Sequence, residues 1–216
     1  MFYVGLDLGK MRDYSALAVV EREDRLCWTP AIPSPPVLRV RHLERFPLGT
    51  PYMRVVARVS ELTCHSNLNG VSHLVVDATG VGVPVVESLR AARLGCLGMT
   101  AVTITPGSRA RQGSGFGAGE HWNVPRTDLL SGVQMLLERG ELRISKKMRE
   151  SGTLLRELLS MRSGGPGTGC AADRTGGEPA VGWAQQHDDL VLAVALACWQ
   201  AMRPKNGMGG LRLPGI

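Results

Sequence analysis

The chain runs in two hydrophobic rhythms, and the change between them divides it. Residues 2–8 (FYVGLDL) predict a buried strand that ends on Asp7 and enters a Gly9-Lys10 turn. Residues 15–21 (SALAVVE) form a second apolar run, close enough to return as a hairpin. A Pro-rich loop spans 27–36, and VLRVRHLERF at 37–46 alternates loosely, as an edge strand carrying several arginines would. Together these segments predict an antiparallel meander.

The period then becomes helical. Thr50-Pro51 marks a helix start with proline at the first helical position, and Val55, Val56, Val59 and Leu62 follow at helical spacing. VSHLVVD (71–77) predicts a strand ending on Asp77, 82–94 a helix with Pro84 in its first turn, and 98–105 another strand. Strands alternating with helices imply parallel pairing through right-handed crossovers. Residues 105–122 read as a basic, Gly-rich loop. Helices are expected at about 127–139 and 146–162, separated by the short ELRIS. A second Gly-rich stretch (163–177) marks a loop, and a brief strand is expected at 180–183. QHDDLVLAVALACWQAM predicts a helix apolar nearly all round, hence buried. No internal repeat is present, so the expected organisation is one domain over 1–203 and a flexible tail over 204–216.

Composition narrows the class. The 216 residues are 44% hydrophobic and 20% charged, enough for one globular domain that buries a core without disulfide or metal staples. No run approaches the roughly 18 consecutive apolar residues of a membrane span, and Met1 leads directly into strand-like sequence with no signal-peptide pattern. Cysteines at 27, 64, 96, 170 and 198 are odd in number and include no CxxC pair. That excludes a disulfide-framed secreted module and a cysteine-built zinc site, and points to a reducing cytoplasm. The net charge is +6, carried by 21 Arg and 4 Lys. Arginine suits bidentate phosphate contacts, which makes a polyanion the first electrostatic expectation, although a GC-rich genome produces the same bias.

Three acidic positions interrupt apolar sequence: Asp7, Asp77, and the pair Asp188 and Asp189. On adjacent strands Asp7 and Asp77 would project together, and a helix crossing the sheet could bring Asp188 or Asp189 to the same point. Converging carboxylates repel unless a cation offsets them, and hard oxygen ligands favour Mg²⁺ or Mn²⁺. Two such ions roughly 3.5–4 Å apart can activate water and stabilise the leaving oxygen of a phosphoryl displacement. Each acid also has a plain reading: Asp7 as a turn cap, Asp77 as a residue of the next helix's first turn, Asp188 and Asp189 as partners of a helix dipole.

The stretches VGLDLGKMRDYSALAVV, LVVDATGVGVPVVESL, WNVPRTDLLSGVQMLLERGELRI and QHDDLVLAVALA, taken in order, resemble the nuclease domain of phage large terminase subunits. The resemblance runs from about residue 3 to 200. It implies an α/β fold of the ribonuclease H-like (resolvase/integrase) type, with a mixed five-stranded sheet in order 3-2-1-4-5 flanked by helices in three layers. It implies a Mg²⁺- or Mn²⁺-dependent endodeoxyribonuclease whose two ions are held by Asp7, Asp77 and the Asp188/Asp189 pair. Asp13 matches a further acid near the metals, or else a hairpin-turn residue. The implied substrate is double-stranded DNA, cut from viral concatemers during genome packaging in a bacterial host's cytoplasm. The implied partners are an ATPase motor domain, a small terminase subunit and a portal, with no membrane.

Two features depart from that pattern. The chain has no G-x-x-x-x-G-K-[ST] loop, so the resemblance covers an isolated nuclease domain without its motor. Where many relatives carry another acid one turn after the Asp pair, this chain has Leu192, leaving His187 as a helper ligand or a helix cap. Arg109 and Arg111, with Arg126, Lys146, Lys147 and Arg149, could form a DNA-backbone track or a solvated surface. Trp122 and Trp183 read as core or rim packing. Three other readings stay open: a Holliday-junction-resolvase-like nuclease, an inactive prophage-derived DNA-binding relic, and an actin-like ATPase or kinase domain.

Overall fold

A computed structural model describes residues 1–9, 13–25, 34–80, 82–113, 119–163 and 188–204. Expectations for Lys10, for Cys27 and most of the 27–36 loop, and for Cys170 lie outside these residues, as do those for the 180–183 strand, Trp183, His187 and the tail beyond 204. The chain lays down β1 (Phe2–Asp7), β2 (Ala16–Glu23), β3 (Val37–Arg45), α1 (Tyr52–Thr63), β4 (Ser72–Asp77), α2 (Gly82–Ala91) and β5 (Gly98–Thr105). There follow β6 (Arg111–Gln112), β7 (Glu120–Pro125), α3 (Arg126–Glu138), β8 (Leu142–Ile144), α4 (Ser151–Ser163) and α5 (Asp189–Met202).

All eight strands of the described residues join one sheet in the order β6-β7-β5-β4-β1-β2-β3-β8. The expected order 3-2-1-4-5 stands intact at its centre, and the expected count of five is corrected to eight among the described residues. Strand β8 pairs in parallel with β3, so β3 is not an edge and ELRIS is not merely a spacer between helices. Within the expected Gly-rich loop, β7 pairs in parallel with β5 and β6 returns against β7. Helix α1 begins at Tyr52, leaving Pro51 in the extended N-cap position, one place before the expected helical one. Helix α4 begins at Ser151, so Lys146, Lys147 and Arg149 occupy turns and not a helix face.

Strand alternation sorts the core into two layers. Val4, Leu6, Leu17, Val19, Leu74 and Val76 pack under α1 and α2. Tyr3, Ala16, Ala18, Val20, Val75 and Val102 face α3, α4 and α5. The parity that puts Val75 on the second face also turns Asp77 there, and in β1 it turns Gly5 and Asp7 the same way.

Helix α5 lies across this face, with nearly every residue buried, among them Leu190, Val191 and Leu196 at 0% exposure. Burying each such side chain contributes roughly 1.5–3 kcal/mol. Gly5, Ala16 and Ala18 make the shallow seat that the helix needs. A β-carbon at Gly5 would land on the Ala193 carbonyl oxygen.

Candidate active site

Strands β1 and β4 are parallel neighbours, aligned with Leu6 beside Val76, so Asp7 and Asp77 end adjacent strands at the same level. From this point β1 continues to β2 on one side, while β4 continues through α2 to β5 on the other. Such a switch point at the carboxyl ends of parallel strands opens a crevice where ligands bind in α/β sheets.

The chain is drawn tightly around the crevice. The Gly9 amide donates to Ser15 Oγ (3.2 Å), and Tyr52 donates its hydroxyl to the Gly9 carbonyl (3.0 Å). A side chain at Gly9 would strike the carbonyl oxygens of Asp13 and Tyr14, so glycine lets the β1–β2 turn fold back beside Asp7. Asp13 sits half-buried on that turn. Asp77 is fixed by the Thr79 amide, which donates to its Oδ1 at 2.7 Å, while Thr79 Oγ1 accepts the Ile104 amide of β5 at 2.6 Å.

Asp7 and Asp77 are each 7% exposed and their carboxyl groups hydrogen-bond one another. Burial, then the charges of Asp77 and Asp189, push the Asp7 carboxyl well above the ordinary range. Burial raises Asp77 as well, against the pull of Thr79's donors. In both groups burial therefore favours the protonated form over the charged one. Arg126, the first residue of α3, lowers both, but does not offset the burial.

Helix α5 brings the remaining acids. Asp188 is its N-cap residue and pairs with Arg126 instead of capping the helix. Asp189, 6% exposed, accepts a hydrogen bond from Arg45 Nη2 at 3.1 Å. Arg45, the last residue of β3, lies over the Tyr14 ring at 3.7 Å from its centre. The helix is capped from outside, by Glu157 of α4, whose Oε2 accepts the Val191 amide at 3.1 Å. Burial pushes the Glu157 carboxyl up to about 7.

Sequence reasoning did not single out Arg45 or Glu157. Glu157 had a signal: it stands on the apolar face of α4, spaced helically from Leu154 and Met161. Arg45 had none, being one of several arginines on its strand.

The expected basic residues separate. Arg126 touches the acids. Arg109 and Arg111 are exposed by the β6 edge, whereas Lys146, Lys147 and Arg149 are exposed just after β8 at the other edge. At about 4.8 Å per strand the two groups lie roughly 30 Å apart, both toward the carboxyl ends of the strands that run with β1. Trp122 packs as expected, edge-on to Trp199 at 5.9 Å with Arg203 stacked on it at 4.0 Å.

Among the described residues, no three His, Cys, Asp or Glu side chains form a ready-made metal cluster, because Asp188 and Asp189 are each turned to an arginine. The donor set nonetheless fits a hard divalent cation. It consists of carboxylate oxygens, and the two innermost carry raised pKa values that a nearby cation would reverse. Among the described residues, no helix is long and apolar enough to cross a membrane.

No protein-family model and no curated protein matches the chain. Solved structures do resemble it. The large terminase nuclease from thermophilic phage G20c is 20% identical, covers 93% of this chain and 82% of its own, and superposes with a TM-score of 0.50. The Mn-soaked human cytomegalovirus terminase nuclease domain is 13% identical, covers 92% and 83%, and has a TM-score of 0.51. The fold of this chain is therefore that of terminase nuclease domains, a ribonuclease H-like mixed sheet between two layers of helices.

Proposed function

We propose that the chain is a Mg²⁺- or Mn²⁺-dependent DNA endonuclease of the terminase kind. The observation that supports this reading is the buried, mutually hydrogen-bonded Asp7–Asp77 pair in the β1/β4 crevice, with Asp188 and Asp189 at the start of α5. These four aspartates would hold two ions, with Asp13 on the adjoining turn as a further acid. When bound, the ions supply positive charge that makes water a nucleophile near neutral pH and stabilises the departing oxygen of a phosphodiester.

The chain's own residues do the rest. Thr79 keeps Asp77 aimed into the crevice, and Gly9 and Ser15 keep the β1–β2 turn close to Asp7. Arg126 lies where it can exchange Asp188 for a substrate phosphate. Arg109 and Arg111 on one flank, with Lys146, Lys147 and Arg149 on the other, would take successive phosphates of a duplex crossing the carboxyl edge of the sheet. Backbone contacts alone carry no sequence information, so cutting would show little base preference. In this reading the chain cuts concatemeric viral DNA in the host cytoplasm, alongside an ATPase motor, a small terminase subunit and a portal.

Supercoiled-plasmid cleavage tests it. Nicking and linearisation should need Mg²⁺ or Mn²⁺, stop with EDTA, and disappear in Asp7→Ala and Asp77→Ala chains that keep the wild-type circular dichroism. No cleavage by folded wild type in either metal refutes the reading.

A further inference from the structure

Two buried atoms near the acid cluster lack hydrogen-bond partners, and they are complementary. Glu157 Oε1 is an acceptor on a side chain only 6% exposed, and Arg45 Nε is a donor. Each residue is otherwise engaged. Glu157 Oε2 caps α5 through the Val191 amide, and Arg45 Nη2 holds Asp189. The two side chains act on each other electrostatically across the first turn of α5, where Asp189 acts on Glu157 too.

Leaving buried polar groups unpaired is costly, because each has given up its bonds to water. One rearrangement satisfies both: Arg45 lets go of Asp189 and turns to Glu157. It becomes favourable when Asp189 acquires another cation, because a guanidinium beside a newly bound divalent ion is repelled while the carboxylate of Glu157 still attracts it. We propose that Glu157 is the positioning residue for Asp189: it fixes the first turn of α5 with one oxygen and receives Arg45 on the other when Asp189 takes up a divalent cation. This rests on the proposed nuclease site for the identity of that cation. It assigns to α4 a role that none of the four aspartates performs, because Asp188 is held by Arg126 and makes no capping bond.

The exchange can be read without metal and with it. Without metal, Asp189→Asn imitates the neutralised carboxylate. The coupling of Arg45→Met with Glu157→Gln, measured by urea unfolding in a double-mutant cycle, should be small in the wild-type background. It should be at least tenfold larger in the unfolding equilibrium constant with Asp189→Asn. Equal coupling in both backgrounds overturns the exchange.

With metal, calorimetric titration of Mn²⁺ should show Glu157→Gln binding about tenfold more weakly than wild type. The Arg45→Met, Glu157→Gln double variant should recover most of that loss, because no guanidinium then needs a new partner. Glutamine can still accept the Val191 amide, so the single variant tests the charge offered to Arg45 and not the cap. Equal Mn²⁺ binding by wild type and Glu157→Gln overturns the role of Glu157 and leaves the nuclease reading standing. A folded wild type that binds no Mn²⁺ overturns both.

Discussion

Replacing Gly5 by alanine adds one methyl group at the point where the whole site is registered. The new β-carbon would meet the Ala193 carbonyl oxygen head-on and stand 3.0 Å from the Ala197 amide nitrogen, both in the backbone of α5. Non-bonded heavy atoms settle at roughly 3.5–4.0 Å, so the helix must lift by on the order of 1 Å. Overpacking costs about 1–3 kcal/mol, and here the obstacle is the main chain of a helix buried on nearly every side, which selects the upper end. For a domain of this size about 3 kcal/mol lowers the melting temperature by roughly 6–12 °C.

Gly132→Ala in α3 is the matched control, since its β-carbon meets nothing within 4 Å. There alanine should stabilise by about 0.5–1 kcal/mol, because it restricts the unfolded chain and suits a helix. Thermal denaturation of the two variants should thus shift in opposite directions. Below both melting temperatures, Gly5→Ala should also cut plasmid more slowly than wild type, because lifting α5 carries Asp189 away from Asp7. A Gly5→Ala protein that melts within about 2 °C of wild type would show that α5 does not rest on β1 as argued.

Other expectations concern charge. The raised pKa of Asp7 favours its protonated form in the fold, so that stabilisation is complete at low pH and is lost as pH rises through the folded value. Glu157 acts in the same direction, its contribution disappearing as pH passes about 7. Metal-free protein should therefore melt at a lower temperature near pH 8 than near pH 6. Glu157→Gln, which carries no proton to lose and can still accept the Val191 amide, should flatten that fall, and an unchanged slope would contradict the assignment to Glu157. Saturating Mg²⁺ binds the ionised carboxylates, so its thermal stabilisation should be greater at pH 8 than at pH 6; equal shifts would argue against carboxylate ligation. Lys147→Ala should reduce the slope of log affinity against log salt for duplex DNA by about 0.9 while leaving metal binding unchanged, and an unaltered slope would remove that residue from the DNA path.

The centre of the fold was legible because each central strand is a short apolar run that ends on an acid or a turn. Asp7 and Asp77 could be paired before any coordinates through the terminase-nuclease resemblance, whose strand order 3-2-1-4-5 implies that β1 and β4 are neighbours. Strand β8 was not legible, because three residues are too few to show a period. Strand β7 hid behind His121 and Asn123, polar residues that argue against a strand until the partner is known; His121 Nε2 hydrogen-bonds across the sheet to Thr103 Oγ1 at 2.9 Å. The basic residues looked like one track in sequence, but β6 and β8 carry them to opposite edges. Arg45 gave no sign of a site role, and Glu157 only that of an acid on an apolar helix face, because each matters through α5, which the chain reaches after both.

That late arrival has a consequence for how the protein is made. β1 leaves the ribosome well before α5, so the acidic centre cannot be assembled from a chain that stops short of α5. A nascent chain lacking α5 presents the shallow seat formed by Gly5, Ala16 and Ala18, but neither Asp188 nor Asp189 to complete the crevice. Its folding must wait for contacts between distant parts of the chain, which are slow to form. A centre closed by α5 stays incomplete until that helix has been made, and a product truncated before it inherits that incompleteness.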